Sequence, residues 1–352
     1  MILYAFKNTA LYFFNFLSMK NKINYQRNIY TKFFNVAPGV WGLKDVFVNV
    51  YMILNPFDGN WVLVDTGLKW SAPKIKKMAA QLFGEHSIPS SIILTHGHFD
   101  HIGSIEKLLE DWDVPVFVHP AETPFLTGKS SYPPPDPSVG GGLMALMSWC
   151  YPSSPINIGN NLSALPENGR VPGLPEWKYV HTPGHAPGHI SLFREADKVL
   201  IAGDALVTSK AESLISVTLQ TKKLSGPPKY FTYDWSLAKD SIKTLAELQP
   251  EVVAAGHGAP MYARELRYAL PHLANHFYTL AVPVSGRYVD DAAVINMNGV
   301  MYTPPNNLNY KSLTVRLISI VTVTLLAFIL LIKNSKTKSK KKDALSYEMR
   351  HP

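Results

Sequence analysis

The chain has 352 residues, of which 46% are apolar and 17% charged, so it can bury a sizeable core and is not disordered throughout. Its net charge of +8 comes from the two ends, since residues 1–44 and residues 313–352 each carry a net charge of +6. The body between them, residues 45–312, has twenty basic and twenty-four acidic side chains. A mildly acidic body argues against a polyanionic substrate, and we expect no nucleic-acid partner.

Residues 1–34 form a basic and apolar N-terminal extension. Residues 1–18 are rich in Leu, Phe and Tyr, and lysines and an arginine follow this apolar part. A secretory signal has its basic residues before the apolar core, so the order here is unfavourable for one. An interfacial anchor, a poor uncleaved signal and a true start at Met19 are all open as explanations.

A packed domain is predicted over residues 35–280, in which strands and helices alternate. A β-rich run over 46–54 and the run Trp61–Val64 are joined by strong turn residues and predict a hairpin. Alternation of this kind is typical of an α/β layered fold. The further elements that we expect are helices at 72–83, 103–111 and 236–248, a last helix through Leu266, Leu270 and Leu273, and strands at 91–94, 114–118, 177–180, 191–193, 199–201 and 252–255.

Residues 121–175 differ in composition from the rest of this domain. A proline-rich run at 132–137 and three glycines at 140–142 flank a short apolar segment over 143–149. A long insertion rich in Pro and Gly is commonly a lid or a wall of a substrate site. An ordinary surface loop is the alternative, and the sequence does not choose between the two.

The stretch Thr95–His101, which reads THGHFDH, carries the densest chemistry in the chain. It places His96, His98 and His101 beside Asp100, directly after an apolar run that predicts a strand. Neutral imidazole and carboxylate are ligands of zinc and related divalent ions. The stretch therefore predicts a metal site in which one loop supplies two ligands to each of two neighbouring ions.

Residues that can bind metal or carry a carboxylate stand at the ends of five predicted strands. Because strand ends on one edge of a sheet converge, residues far apart in the sequence can meet there. Cys150 is the only cysteine, so a metal in this chain is held by His and Asp. The residues at the strand ends are Asp65, the cluster at 96–101, His185, Asp204 and His257.

The order His-x-His-x-Asp-His, Gly-His, Gly-Asp and Gly-His resembles the ligand order of the metallo-β-lactamase superfamily over roughly residues 35–280. The resemblance implies a four-layer αβ/βα sandwich with two metal ions at its edge. It also implies that Asp65 orients the cluster by hydrogen bonding. The implied ligands are His96, His98 and His185 for one ion, Asp100, His101 and His257 for the second, and Asp204 as the bridge between them.

The resemblance further implies a hydrolase with two zinc ions, for which iron or manganese are alternatives, acting on a small molecule. A metal-bridging hydroxide would attack an ester-like bond, such as a lactone or a thioester. Asp100 is then the expected proton carrier to the leaving group, and Asp204 the other catalytic carboxylate. True β-lactamases typically have a cysteine as a second-site ligand and lack the aspartate bridge, so their activity is not expected here.

Two other functions stay open on the sequence alone. A mono-iron enzyme similar to sulfur dioxygenases would use only His96, His98 and His185. A membrane-tethered binding protein would hold the metal for structural reasons, although structural zinc sites are closed by four protein ligands. The remaining histidines near the motifs, His119, His181 and His189, are interpreted as structural.

The C-terminal part of the chain predicts a membrane anchor. After an extension over 281–312, residues 313–332 contain a single charge and are otherwise apolar or Ser/Thr, about the length that a bilayer requires. A lysine-rich tail follows over 333–352, which a buried core helix does not usually have. We therefore expect a C-terminal transmembrane helix and a single-pass membrane protein. Its orientation stays open, because the lysine tail and the weak N-terminal signal conflict.

Overall fold

The computed structural model describes residues 33–305. Within this range no helix is long and apolar enough to cross a membrane. The two longest helices there have 13 residues each, about 20 Å at 1.5 Å per residue, against a bilayer core of about 30 Å. The prediction of a transmembrane helix in the fold and of a single-pass membrane location is therefore corrected, because no such helix belongs to the described part of the chain. The segment 313–332 on which that prediction rested lies outside the described residues.

The first sheet has seven strands that follow one another in chain order. Strands one to four pair antiparallel, and strands four to seven pair parallel. The predicted hairpin is confirmed, with Leu54 opposite Trp61. The strands are β1 (Phe33–Ala37), β2 (Val40–Asp45), β3 (Val48–Leu54), β4 (Trp61–Val64), β5 (Ser91–Ile93), β6 (Val116–Val118) and β7 (Leu162–Ala164).

The second sheet has six strands, and a separate two-stranded hairpin follows it in the chain. Its strands are β8 (Arg170–Val171), β9 (Leu174–His181), β10 (Ile190–Arg194), β11 (Val199–Gly203), β12 (Val252–Ala255) and β13 (Met261–Tyr262). Their spatial order is β13-β12-β11-β10-β9-β8, and β11 and β12 form the parallel pair. The hairpin consists of β14 (Val294–Asn296) and β15 (Gly299–Tyr302).

The described α-helices are α1 (Ala72–Phe83), α2 (Phe99–Ile102), α3 (Ile105–Leu109), α4 (Thr123–Leu126), α5 (Leu143–Leu146), α6 (Leu214–Leu219), α7 (Trp235–Glu247), α8 (Ala263–Asn275) and α9 (Phe277–Leu280). Short 3-10 helices lie at Pro120–Glu122, Pro137–Val139, Ser148–Cys150 and Lys229–Phe231. The predicted helix at 72–83 matches α1, and the predicted last helix matches α8.

The helix predicted at 103–111 is confirmed as the shorter helix α3, and a separate short helix, α2, precedes it and ends with a break at Gly103. The backbone of Gly103 lies against the loop that follows β4, and its N–H donates to the carbonyl of Gly67 at 2.8 Å. A Cβ at this position would stand 2.5 Å from the backbone nitrogen of Lys69. Close packing of the two loops therefore interrupts the helix immediately after the histidine cluster.

The two sheets pack face to face and each is covered by helices on its outer side. Val64 and Ile93 of the first sheet share one apolar core with Ile190 and Ile201 of the second. Successive residues of a strand point to opposite faces of the sheet. The side chains that alternate with these, such as Leu63, therefore pack outward against α1 and α3. The second sheet packs outward against α7 and α8. The layers are thus α/β/β/α, as in the sandwich part of the predicted fold.

The insertion at 121–175 is held to the body by the segment that follows α9. The Tyr288 hydroxyl donates to the carbonyl of Pro134 at 2.6 Å, and the Arg287 N–H donates to Asp136 at 2.5 Å. The N–H of Val300 in β15 donates to Ser130 at 3.1 Å. These contacts fix the insertion beside the strand ends, where its aromatic side chains join a shared buried cluster.

Candidate metal centre

The predicted site residues follow the ends of β4, β5, β9, β11 and β12, which meet at one edge of the sandwich. The structure brings all seven predicted ligands together there, and each of them is buried. Their ligand atoms form three groups in which all atoms lie within 4.8 Å of one another. These groups are His96, His98 and His185; Asp100, His101 and His257; and His96, His101 and Asp204.

Asp204 lies between the two predicted ligand sets. One of its oxygens, Oδ2, is 3.0 Å from Nε2 of His257 and 3.6 Å from Nε2 of His185. The other oxygen, Oδ1, is 3.6 Å from Nε2 of His101. One carboxylate thus faces histidines of both sets, which is the geometry that a bridging ligand needs.

Neighbouring groups fix the orientation of the imidazole rings. Nδ1 of His101 is 2.7 Å from Oδ2 of Asp65, and Nδ1 of His257 is 2.8 Å from the carbonyl oxygen of Phe47. In each ring the pairing leaves Nε2 facing the cluster. Asp65 also accepts hydrogen bonds from the N–H and the hydroxyl of Thr95, at 2.7 Å and 2.8 Å. Such contacts are the usual means by which a protein orients metal-binding histidines.

The cluster contains buried polar atoms that the described residues leave without a hydrogen-bond partner. Nε2 of His96, Nε2 of His101 and Oδ1 of Asp204 are three of them, and they belong to one ligand group. A buried polar atom without a partner is costly and calls for an explanation such as an ion. The donor set therefore fits a divalent metal at the point where these atoms converge.

The histidines of the first set are held in the neutral state that a metal requires. Burial lowers the pKa of His96 and of His98 well below the usual value. Burial also lowers the pKa of His185, to about 3, although Asp204 acts in the opposite direction. A neutral imidazole presents a lone pair, so these rings can bind a cation without first losing a proton.

The pKa values of the histidines in the second set are shifted in the opposite direction. Burial alone would lower the pKa of His101 and of His257, but nearby carboxylates outweigh it. Asp65 and Asp204 hold the pKa of His101 well above its usual value, and Asp204 raises the pKa of His257 to about 9. Burial also raises the pKa of Asp100. Protonated His101 and His257 thus balance the carboxylates, and a divalent cation bound here would displace their protons.

Aromatic side chains flank both ligand sets. The ring of Phe231 stacks on His98 with 4.5 Å between centroids, and Phe47 stacks on His257 at 6.0 Å. Nε2 of His98 is 3.2 Å from the hydroxyl of Tyr233, and the ring of Tyr132 lies 4.6 Å from that of His98. The imidazole rings of the two ligand sets therefore lie in largely apolar surroundings.

The sequence profile described as metallo-beta-lactamase superfamily matches residues 43–257. The chain belongs to the metallo-beta-lactamase superfamily. This confirms the resemblance seen in the ligand order, and with the buried His/Asp groups it makes the chain a metal-dependent hydrolase.

Relatives within the superfamily include two proteins of Bacillus subtilis (strain 168). The probable metallo-hydrolase YflN is 48% identical over 248 residues, which cover 70% of this chain and 94% of YflN. The probable metallo-hydrolase YybB is 30% identical over 213 residues, covering 60% of this chain and 82% of YybB. A solved structure, TTHA1623 in a di-iron-bound form, is 26% identical and covers 66% of this chain and 99% of its own, with a TM-score of 0.44.

Three histidines outside the ligand sets make contacts that support the surrounding structure. Nε2 of His189 accepts the N–H of Asp204 at 2.8 Å, and its Nδ1 is 2.8 Å from the hydroxyl of Thr182. His119 and His181 stack on each other with 4.0 Å between ring centroids. Burial lowers the pKa of His119 to about 4. These contacts agree with the structural interpretation of all three.

Two parts of the metal centre were not predicted from the sequence. The aromatic surround was one, although the run Tyr230–Tyr233 is visible in the sequence as a cluster of three aromatic residues. The other was Glu122, a fully buried carboxylate beside the ligand loops whose pKa burial raises. A lone glutamate in a proline-rich insertion gives no signal of its own, because its role depends on contacts that only the fold creates.

Proposed function

We propose that the protein is a two-metal hydrolase that attacks an ester-like bond, such as a lactone or a thioester, with zinc as the expected ion. The observation that carries the proposal is the position of Asp204 between the set His96, His98 and His185 and the set Asp100, His101 and His257. Two complete ligand sets joined by one carboxylate support a dinuclear site over a single structural ion, which four protein ligands would close.

The residues of this chain have distinct parts in the proposed reaction. When bound, the two ions would lower the pKa of water enough to supply hydroxide near neutral pH and would polarise the carbonyl of the substrate. Asp204 holds the two ligand sets at a fixed separation. Asp100, whose Oδ2 lies 3.4 Å from Nε2 of His257, would accept the proton that the attacking water loses and deliver it to the leaving group.

The surroundings of the ligand sets favour a small organic substrate with an apolar part. Phe47 and Phe231 flank the two ends of the cluster, Phe47 half-buried and Phe231 buried. A cavity of about 430 Å³ opens beside the ligand loop, and its apolar lining includes Leu68, Phe99 and Ile156. Apolar walls with few polar groups are typical of small-molecule sites.

The test combines metal analysis with a panel of substrates. The purified full chain is expected to contain about two zinc ions and to hydrolyse at least one of a set of esters, lactones and thioesters. A single bound iron with oxygen consumption would instead establish the mono-iron alternative. Full metal loading without hydrolysis of any ester, lactone, thioester or phosphodiester would favour a binding protein with a structural metal site.

A further inference from the structure

Glu122 is a buried carboxylate that the proposed reaction does not use. It lies at the end of the 3-10 helix Pro120–Glu122 and has no exposed surface. Its Oε1 accepts the N–H of Gly188 at 2.6 Å, and its Oε2 accepts the N–H of Gly97 at 2.9 Å. The hydroxyl of Tyr132 also donates to Oε2. Each oxygen of one carboxylate therefore accepts a backbone N–H from a different loop.

The two loops joined in this way carry the histidines of the first ligand set. Gly97 stands between His96 and His98, and Gly188 stands three residues after His185. The sequence separation between Gly188 and Glu122 is 66 residues, so the contact depends on the fold and not on a local turn. Glu122 thus connects the loop after β5 directly to the loop after β9.

The close approach of Glu122 explains why glycine occupies both contact positions. A Cβ at Gly188 would stand 2.8 Å from Cγ of Glu122 and 2.9 Å from its backbone nitrogen. A Cβ at Gly97 would stand 2.6 Å from the hydroxyl oxygen of Tyr132 and 3.3 Å from Oε2 of Glu122. The backbones of both ligand loops are therefore packed against this side chain with no space for another one.

We propose that Glu122 is a positioning residue that sets the distance between the loop carrying His96 and His98 and the loop carrying His185. This inference rests on the proposed function, since it assigns those three histidines to one ion. The link is stiff, because two charge-assisted hydrogen bonds to backbone groups fix both ends of the contact. In the structure, Nδ1 of His98 lies 3.0 Å from Nε2 of His185 across this joint.

Glutamine at position 122 has nearly the same size but cannot make the same contacts. Its amide nitrogen replaces one of the two oxygens, and in either orientation it faces a backbone N–H, from Gly97 or from Gly188. Two N–H donors then face each other in the protein interior, so the hydrogen bond on that side is lost. The hydrogen bond from residue 122 to one of the two ligand loops is thereby lost, although the N–H of Gly97 keeps the hydroxyl oxygen of Tyr132 as an acceptor at 3.0 Å. Both sets of metal ligands are left chemically intact.

The experiment measures metal affinity and not only hydrolysis. Zinc is titrated into the metal-free full chain in competition with a chelator, for the wild type and for Glu122→Gln. We expect the dissociation constant of one of the two ions to rise about 10- to 100-fold, the range seen when groups that orient metal ligands are removed. The affinity for the second ion is expected to change less, because none of its ligands lies on the loop after β9 and only Asp100 and His101 share a loop with Gly97.

Asp136→Asn is the matched control variant. Asp136 is also a buried carboxylate whose two oxygens accept backbone N–H groups of two segments, those of Ser138 and Arg287, but it touches neither ligand loop. Both variants are expected to lower the stability of the metal-free protein toward urea. Only Glu122→Gln is expected to weaken zinc binding.

The outcomes separate this inference from the proposed function. A wild-type chain that binds no pair of ions overturns both. A wild type that binds two ions and a Glu122→Gln variant that binds them equally well overturn the positioning role alone. If Glu122→Gln does not fold, Glu122→Asp keeps the carboxylate but is one methylene too short to accept from both Gly97 and Gly188. Weaker zinc binding in that variant supports the role, and wild-type affinity overturns it.

Discussion

The same strands build two regions of the molecule. The interior between the two sheets is apolar, whereas the edge at which the strands end is polar. In the interior, Val64, Ile93 and Ile201 are fully buried and need no partners besides one another. A few residues further along, the same strands lead to buried histidines and carboxylates, some of whose polar atoms the described residues leave unpaired. Burial of apolar groups stabilises the fold, whereas burial of unpaired polar groups opposes it.

The comparison teaches that stability and chemistry are separated along each strand. Strands β4, β5, β11 and β12 contribute their length to the core, and a residue one to three positions beyond their end to the metal centre. We therefore expect the scaffold to keep its stability when a residue of the centre is changed. Of the four predictions below, the first two ask whether a change on one side leaves the other unaffected, the third concerns the edge alone, and the fourth concerns a group outside both regions.

The largest effect is expected from Asp204→Ala at the edge. The substitution removes the carboxylate that faces both ligand sets, so hydrolysis of the best panel substrate should fall by roughly a hundredfold or more, the scale on which loss of one electrostatic contact acts in a transition state. The fold should persist, since the core packing of β11 is unchanged. The measurements are kcat/KM and a urea unfolding curve, and a variant that keeps wild-type kcat/KM would refute the assignment.

Ile201→Ala is the counterpart in the interior. Ile201 is fully buried between the sheets, three residues before Asp204 in the sequence. Shortening it should lower the free energy of unfolding by about 2–5 kcal/mol, through lost burial and the cavity left behind. Urea unfolding measures this loss, and elemental analysis should find unchanged metal content per folded chain. Loss of metal without loss of stability would show that the two regions are not separable in this way.

Metal loading should release protons from the edge. The pKa of His101 lies well above its usual value and that of His257 is raised to about 9, so both rings are protonated at pH 7 and must become neutral to bind a cation. Zinc titrations at pH 7 in buffers of different ionisation enthalpy should report release of up to two protons, with fewer released as the pH rises above 9. A binding heat that is the same in all buffers would contradict this charge balance.

The smallest effect concerns a titration away from both regions. Burial lowers the pKa of His119 to about 4, against 6.5 in the unfolded chain, so acidification protonates the unfolded state first. His119 should therefore reduce stability as the pH falls from about 6.5 to 4, with no further loss below 4. In His119→Gln, urea unfolding should show a shallower decline over this interval. If stability declined as steeply in the variant as in the wild type, a group other than His119 would be responsible for the decline.

The sequence predicted those features of the molecule that depend on local patterns. Helix 72–83 and the hairpin of β3 and β4 each depend on residues close together in the chain, and the convergence of strand ends follows from a general rule for α/β sheets. The ligand order was equally visible, because the spacing of His96, His98, Asp100 and His101 is local. The family and the enzyme class followed from that order.

Features that depend on tertiary contacts were not predictable in the same way. The break of the helix at Gly103 results from the loop after β4, which is distant in sequence. Glu122 acquires its role only when the loops of Gly97 and Gly188 meet around it. The substrate is undetermined for the same reason, since the surfaces around the ligand sets come from the insertion at 121–175 and the segment near Phe231.

The central claim is that the edge of the sandwich holds two ions joined by Asp204. Crystals of the zinc-loaded full chain, with anomalous diffraction recorded on both sides of the zinc absorption edge, test this directly. The account predicts two anomalous peaks, one among His96, His98 and His185 and one among Asp100, His101 and His257, with Asp204 in contact with both. A single peak, or two peaks that Asp204 does not join, would contradict it.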